Sequence, residues 1–165
     1  MRVLCVVLLS QFLLAAGTAQ QPAADAQSLT SYCNFSDDNQ VSVQYSTARK
    51  EEPQNGKVWT PGGSAPVLFA QTPLMLNNVQ IPVGGYTLYV IPGRKNWTLI
   101  VSKNTAVGAK YSESQDLVRA NMDTAPLPEN ADTLHVSFEH SAPKTCGLRL
   151  DYGKTAAFGA EFQEK

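Results

Sequence analysis

Apolar and polar residues alternate along four segments of this chain. Val41, Val43 and Tyr45 are separated by Ser and Gln, and the same period of two runs through residues 118–122, 134–138 and 148–152. A period of two places successive side chains on opposite faces of an extended backbone. The pattern therefore predicts strands that turn one face toward a core and the other face toward water.

Two further segments are apolar on both faces. They are residues 86–91 (YTLYVI) and residues 97–101 (WTLIV). The turn-forming stretch PGRKN at 92–96 separates them, which predicts a hairpin. Because apolar residues on both faces need cover on both faces, we expect these segments to be central strands.

Turn-forming residues recur at short spacing between the predicted strands, as in NG at 55–56, PGG at 61–63 and GG at 84–85. Helical periodicity is nearly absent, and residues 112–117 are expected to be a loop with at most one helical turn, capped by Ser112. Short strands between frequent turns predict an all-β fold. We expect an antiparallel β-sandwich, jelly-roll or Greek-key-like, with little or no helix outside the N-terminal signal peptide.

Residues 1–19 have the features of a secretory signal peptide. Arg2 precedes an apolar run at 3–16, and the small residues Gly17 and Ala19 stand before the expected cleavage site. We place cleavage after Ala19, which predicts a secreted or periplasmic protein. The polar residues 20–31 predict a flexible leader, and residues 32–165 predict a single domain. The apolar run is short for a membrane span, so we expect no span in the mature chain.

Composition narrows the classes of partner. The 165 residues carry 13 Lys and Arg against 14 Asp and Glu, a balance that gives no electrostatic footprint for nucleic acid. The 43% hydrophobic content is ordinary for a globular domain and argues against wholesale disorder. A small molecule, a glycan or another protein remains as the expected kind of partner.

Removal of the signal peptide leaves two cysteines, Cys33 and Cys146. Cys33 shares its phase with Phe35, and Cys146 shares its phase with Leu148, so both point inward in the predicted strands. Cysteines of exported proteins commonly pair, so we predict a Cys33–Cys146 disulfide, with two buried free thiols as the alternative. Neither cysteine belongs to a C-x-x-C pair, which argues against a metal or catalytic role.

Three stretches resemble one protein family. They are GKVWTPGGS at 56–64, IPVGGYTLYVIPGRKNWT at 81–98, and YSESQDLVRANMD at 111–123 followed by LPENADTLHVSFEH. Together they are similar to the exported bacterial domain-of-unknown-function family 2911, over residues 32–165. The resemblance implies an exported β-sandwich of uncharacterised function, in a branch that carries two cysteines. The commoner family pattern after the tryptophan is Arg-Thr-Gly-Ala-Asn-Glu, whereas residues 60–65 here read TPGGSA, so any site formed by those polar residues is lost in this chain.

No sequence motif nominates a reaction or a cofactor. G-x-S-x-G, H-E-x-x-H and calcium-loop patterns are absent, and GGS at 62–64 lacks the Lys of a phosphate-binding loop. His135 shares a strand face with Ser137 and Glu139, the one arrangement that would serve a small-substrate hydrolase. A metal at His135 would need a third ligand such as Asp151 or Asp132, so we expect an exposed polar face with neither metal nor cofactor.

Trp59 has two interpretations. It follows an Asn-Gly turn and precedes PGGS, where it would either present a platform to a sugar or close the end of the core. Lys57, Ser64 and Arg94 lie on turns and complete the candidate binding residues. We expect a non-catalytic binding or structural module with recognition on loops 59–64 and 92–96. The alternatives are a carbohydrate-binding module that uses Trp59 and the hydrolase at His135.

Overall fold

The computed structural model describes residues 27–48, 52–106, 108 and 110–165. The predicted signal peptide and most of the predicted leader lie outside these residues. The first strand begins at Ser28, inside the segment that the sequence assigns to the leader, and it is paired from that residue onward. Among the described residues, no helix has the length and apolar character that a membrane crossing requires.

Nine strands and two single 3₁₀ turns form the regular structure of the described residues. The 3₁₀ turns are Pro61–Gly63 and Glu113–Gln115. The content of strand confirms the predicted all-β class. The strands are β1 (Ser28–Asn34), β2 (Gln40–Ser46), β3 (Val67–Ala70), β4 (Leu74–Leu76), β5 (Val79–Ile81), β6 (Gly84–Ile91), β7 (Asn96–Ser102), β8 (Asp116–Ala142) and β9 (Thr145–Glu164).

All nine strands belong to one hydrogen-bonded antiparallel sheet, in the order β1-β2-β3-β6-β7-β8-β9-β4-β5. The chain runs as a meander with one exception. After β3 the chain crosses to the opposite end of the sheet, where β4 and β5 form a hairpin beside β9. It then returns, so that β6 pairs with β3. Such a crossover between antiparallel strands is typical of Greek-key connections.

The long strands β8 and β9 convert the single sheet into two layers. Residues 116–123 of β8 pair with β7, residues 123–142 pair with β9, and the β8–β9 register shifts repeatedly between Pro126 and His135. Irregularities of this kind bend a strand pair. The first layer comprises β1, β2, β3, β6, β7 and the beginning of β8, residues 116–123. The second comprises the rest of β8 with β9, β4 and β5, and it brings Tyr152 to 4.8 Å from Trp59, measured between ring centroids.

The core follows the alternation in the sequence. Val41 and Val43 of β2 and Leu148 of β9 are fully buried, whereas Ser42 and Gln44, which alternate with the valines, face outward. Burial of one Val or Leu side chain contributes about 1.5–3 kcal/mol. A register slip by one residue would expose the whole apolar set, so the alternation fixes which face of each strand turns inward.

β6 and β7 form the predicted hairpin and are covered on both faces. Tyr89 and Ile100 are opposite each other on the outer face of the first layer, yet they are 3% and 0% exposed. The cover comes from residues 103–106, 108 and 110–115, which we call the covering segment. Its Tyr111 packs edge-on against Tyr89, with ring centroids 5.1 Å apart.

The covering segment contains the single helical turn that was expected near Ser112. The turn is the 3₁₀ turn Glu113–Gln115. The expected cap is not formed, because the Ser112 side chain makes no capping hydrogen bond. Its hydroxyl lies 2.9 Å from that of Ser114, and its carbonyl accepts a hydrogen bond from the Gln115 N–H. The Ser112 hydroxyl therefore pairs with the Ser114 hydroxyl instead of capping the turn.

Cys33 and Cys146 form the predicted disulfide. The bond joins β1, at one edge of the sheet, to the start of β9 in the other layer, and it closes a loop with a sequence separation of 113 residues. Nearby, the Ser36 N–H donates to the Pro143 carbonyl at 3.0 Å, so the β1–β2 turn also contacts the β8–β9 turn. A covalent bond therefore fixes the edge strand β1 to the second layer.

Candidate functional site

Trp59 belongs to the core. It is 4% exposed and packs against Trp97 and Tyr152, with ring centroids 5.9 and 4.8 Å away. Its backbone exchanges two hydrogen bonds with Val90, of 2.7 and 3.0 Å, which place it against β6. Because a buried ring offers no face to a sugar, the geometry favours the interpretation of Trp59 as the residue that closes the core.

The residues after Trp59 are also packed inside. Pro61 and Gly62 are buried in the first 3₁₀ turn, and Gly62 has a φ of 69°. A Cβ atom at this position would lie 2.1 Å from the carbonyl oxygen of Ser46, so only glycine fits here. This stretch closes one end of the sandwich.

The other candidate binding residues are exposed on loops at the same end. The Gly56 N–H donates to the Pro92 carbonyl at 2.7 Å, which brings the loop of Lys57 against the loop of Arg94. Lys57, Ser64 and Arg94 are all exposed. None of the three lines the cleft described below.

The polar face around His135 is a ladder of ion pairs. Nδ1 of His135 lies 4.0 Å from Oδ2 of Asp151, its partner across the β8–β9 pair. Arg149 is opposite Ser137, and its Nε donates to Asp151 at 3.0 Å while its Nη1 lies 3.7 Å from Oε1 of Glu139. His135 and Glu139, two of the three residues in the hydrolase hypothesis, are thus placed against Asp151 and Arg149. The arrangement therefore lends no support to the hydrolase hypothesis, and no group of three His, Cys, Asp or Glu side chains in the described part of the chain is arranged to hold a metal.

A cleft of about 530 Å³ opens where β8 and β9 diverge. The β8–β9 ladder begins at Asp123 opposite Phe158. Before Asp123, β8 pairs with β7, and beyond Phe158, β9 continues toward β4, which it meets at Gln163 and Glu164. The two strands are therefore not paired with each other on this side of Asp123 and Phe158. Gly159, with a φ of 91°, lies at the point of divergence.

Polar groups of several kinds line this cleft. The outer sides of β7 and β8 form one wall, and the β4–β5 hairpin with the end of β9 forms the other. Ala120 and Ala160 lie between the walls and are buried, and their small side chains leave the cleft deep. The hydroxyl, carboxamide and charged groups of the lining belong to Thr98, Thr145, Asn77, Asn78, Asn121, Gln163, Arg119 and Glu161.

Arg119 is already engaged by its own neighbours. Its guanidinium donates to Oδ2 of Asp116 at 2.7 and 2.9 Å. It also donates to the Tyr111 hydroxyl at 2.8 Å and to Oε1 of Glu113 at 3.0 Å. The hydrogen bond with Asp116 raises the pKa of Arg119 above its ordinary value. Because its charge is compensated inside the fold, Arg119 is a positioned donor at the edge of the cleft rather than a free cation.

The β4–β5 turn fixes the opposite wall. Asn77 and Asn78 have φ values of 49° and 62°, the left-handed conformation of a two-residue hairpin turn, which asparagine tolerates well. Nδ2 of Asn77 donates to the carbonyl oxygen of Arg119 at 3.0 Å, across the cleft. This side-chain amide occupies a position that a paired strand would take if β9 had stayed beside β8.

One family model, described as a protein of unknown function (DUF2911), matches residues 27–158. The chain belongs to this family. The match confirms the resemblance seen in the sequence, and it spans β1 to the point in β9 where the strands diverge. No curated protein and no solved structure matches the chain. The function of this DUF2911 protein must therefore be argued from its own geometry.

The sequence of this DUF2911 protein did not reveal the cleft. Asn77 and Asn78 carried only a turn signal, and Asn121 was one polar position in an alternating strand. Polar residues on the outer face of a strand are ordinary, and what unites them here is the separation of two long strands. A local pattern carries no signal for that separation, since it depends on which partner each strand follows.

Proposed function

We propose that this protein is an exported, non-catalytic binding module that holds a small polar molecule in the cleft between β8 and β9. The cleft itself carries the proposal. Its volume of about 530 Å³ lies within the range of about 300–1,000 Å³ that is usual for small-molecule sites.

The lining favours a ligand that is rich in hydroxyl or amide groups and carries no negative charge. The carboxamides of Asn78, Asn121 and Gln163 each present both donors and acceptors, and the hydroxyls of Thr98 and Thr145 do the same. A negatively charged ligand would need an uncompensated cation. Arg119 is bound to Asp116, so it offers hydrogen bonds with little free charge.

The same lining supports binding without catalysis. Neither histidine nor cysteine occurs among the described residues that line the cleft. Its acidic residue, Glu161, is exposed on β9. Nucleophilic and general-base catalysis rely on groups whose reactivity is perturbed by their surroundings, and the cleft offers hydrogen-bonding groups instead.

Two features support export. The disulfide between Cys33 and Cys146 is of a kind that persists in oxidising compartments such as the periplasm or the cell exterior. The signal-peptide pattern at residues 1–19 would bring the chain there. Residue 20 then becomes the N-terminus of the mature protein.

A ligand screen on exported protein tests this proposal. The full chain is expressed in a bacterial host and purified from the periplasm, where its mass should fit a chain that begins at Gln20 and carries the oxidised cysteine pair. Ligand-observed NMR then screens monosaccharides, disaccharides, polyols, amino acids and nucleosides. We expect at least one class to bind.

Two matched variants locate the bound ligand. Asn121→Tyr fills the cleft from an exposed strand position and should weaken binding at least tenfold. Thr133→Tyr makes the same kind of change at an exposed position of β8 outside the cleft and should bind as the wild type does. The proposal is contradicted if the screen finds no compound that binds. It is also contradicted if Asn121→Tyr binds the ligand as tightly as the wild type does.

A further inference from the structure

The outer face of β1, β2 and β3 differs from the rest of the surface. Cross-strand pairing puts ten side chains on this face, which we call the β1–β3 face, four from β1, four from β2 and two from β3. No charged residue is among them, although the chain carries 13 basic and 14 acidic residues. They are Ser28, Thr30, Tyr32, Asn34, Gln40, Ser42, Gln44, Ser46, Val67 and Phe69.

Two aromatic side chains project from this face. Tyr32 is 61% exposed and Phe69 is 44% exposed. Both are paired with Ser42, from opposite sides, so they occupy one row across the three strands. With a strand spacing of about 4.8 Å, their Cα atoms are separated by roughly 9–10 Å.

The Phe69 ring is supported from below. Its strand partner on the other side is Gly85, and a Cβ atom at Gly85 would lie 3.7 Å from Cε1 of Phe69. The ring therefore rests against glycine backbone. A small residue beside an aromatic ring leaves the ring close to the sheet, where it can act as a flat platform.

The amide side chains on either side of the aromatic row are held in place by hydrogen bonds to neighbouring side chains. Nε2 of Gln40 donates to Oδ1 of Asn34 at 3.0 Å, and Nε2 of Gln44 donates to Oγ of Ser28 at 3.2 Å. Both bonds run from β2 to β1. Polar groups that are ordered before a ligand arrives lose less conformational entropy when it binds.

We propose that the β1–β3 face binds a neutral polysaccharide chain. The apolar faces of sugar rings pack on Tyr32 and Phe69, while sugar hydroxyls bond to the ordered amides and serines between and beside them. The distance between the two aromatics is wider than a single sugar ring, so the occupant is an oligomer. The absence of charge from the face matches a neutral polymer, since a charged one would lose water without gaining a partner.

The size of the face also favours a thin chain over a second protein. Seven residues of about 3.3 Å and three strands of about 4.8 Å give a face of roughly 300 Å². A stable protein–protein interface needs about 800 Å² from each partner. The face lies on the first layer at the β1 edge, apart from the cleft, so this inference and the proposed function can fail independently.

Affinity electrophoresis tests the inference. Oxidised protein is run in native gels that contain mixed-linkage β-glucan, xyloglucan, glucomannan or alginate, or no polysaccharide. We expect at least one neutral polysaccharide to slow the wild type, and alginate to leave its mobility unchanged. The Tyr32→Ala/Phe69→Ala variant should bind the same polysaccharide at least tenfold more weakly.

Controls separate stacking from other effects. Tyr32→Phe retains the ring and should keep at least half of the wild-type affinity. Val83→Ala removes another exposed apolar side chain, away from the face, and should bind normally. The inference is overturned if no neutral polysaccharide slows the wild type, or if the double alanine variant is slowed equally. It is also overturned if light scattering shows a wild-type dimer that the double variant dissociates, because the face is then a contact between copies.

Discussion

The first layer of the sandwich carries aromatic residues on two parts of its outer surface. In one part they are buried, and in the other they are exposed. Over β6 and β7, Tyr89 is 3% exposed beneath the covering segment. Over β1 and β3, Tyr32 and Phe69 are 61% and 44% exposed. Both sets project from strands of the same layer, so the difference lies in what the chain places over them.

The cover over β6 and β7 is fastened by hydrogen bonds at both ends. Oγ1 of Thr87 donates to the Asn104 carbonyl at 2.6 Å, and the Lys103 N–H donates to the Gln115 carbonyl at 2.9 Å. Aromatic area buried in this way contributes to folding. Aromatic area left in water contributes little to folding, and exposed apolar patches commonly mark interaction sites. The comparison therefore separates a face that stabilises the fold from a face that is available to a ligand.

The largest expected effect concerns how the β1–β3 face is held. Without a covering segment, β1 is fixed by the Cys33–Cys146 bond, whose loop spans 113 residues. In the loop-entropy treatment such a bond stabilises the fold by about 4–5 kcal/mol. The Cys33→Ser/Cys146→Ser variant should lose about this much free energy of unfolding, measured by urea denaturation.

Hydrogen exchange distinguishes the two faces in that variant. Amides of β1 and β2 should exchange much faster than in the oxidised wild type, while those of β6 and β7 remain protected at any denaturant level that keeps the domain folded. Wild type treated with dithiothreitol should behave in the same way. Equal loss of protection in all four strands would mean that the disulfide supports both faces alike.

The next effect compares one aromatic truncation on each face. Tyr89→Ala removes a buried ring from under the covering segment and should cost about 3 kcal/mol of unfolding free energy. Phe69→Ala removes a ring that is 44% exposed and should cost less than about 1 kcal/mol. Urea denaturation measures both values from the shift of the midpoint, when the slope of the unfolding free energy against urea concentration equals that of the wild type. Similar losses at the two positions would show that Phe69 is part of the structural packing.

The alternation of side chains made the architecture predictable. Val41, Val43 and Tyr45 turn inward as their period requires, and the phase of Cys33 and Cys146 placed both sulfurs inside. Apolar residues on both faces of β6 and β7 indicated the need for double cover. They did not indicate that a loop of the same chain would provide the outer cover, since a second sheet would satisfy the same pattern.

The two proposed ligand surfaces were harder to predict for physical reasons. Tyr32 lies on a strand whose earlier residues, Ser28 to Ser31, are small or polar apart from Leu29, so in the sequence they resemble a leader. The cleft depends on where β8 leaves β9, a property of two strands far apart in the sequence. Trp59 stayed ambiguous because a turn next to an aromatic is compatible with either a core or a surface position.

The smallest expected effect compares the loss of one hydroxyl on each face. The Tyr111 hydroxyl donates to Asp116 at 2.8 Å and accepts from Arg119 at 2.8 Å. Tyr111→Phe should therefore cost about 1–2 kcal/mol at neutral pH. Tyr32→Phe, on the exposed ring of the β1–β3 face, should change the free energy of unfolding by less than about 0.5 kcal/mol.

The pH dependence of this pair gives the comparison a second readout. Burial, followed by the hydrogen bond with Asp116, raises the pKa of Tyr111 above its ordinary value of 10.0. A raised pKa means that the folded state holds the phenolic proton more tightly than the unfolded state does. The stability that Tyr111 contributes is thus complete below the unfolded pKa and falls as the pH rises through the folded pKa. Urea midpoints from about pH 9 to about pH 11 should decline less steeply in Tyr111→Phe than in the wild type. An equal decline in both would show that the hydroxyl of Tyr111 is not what makes the covering segment sensitive to alkali.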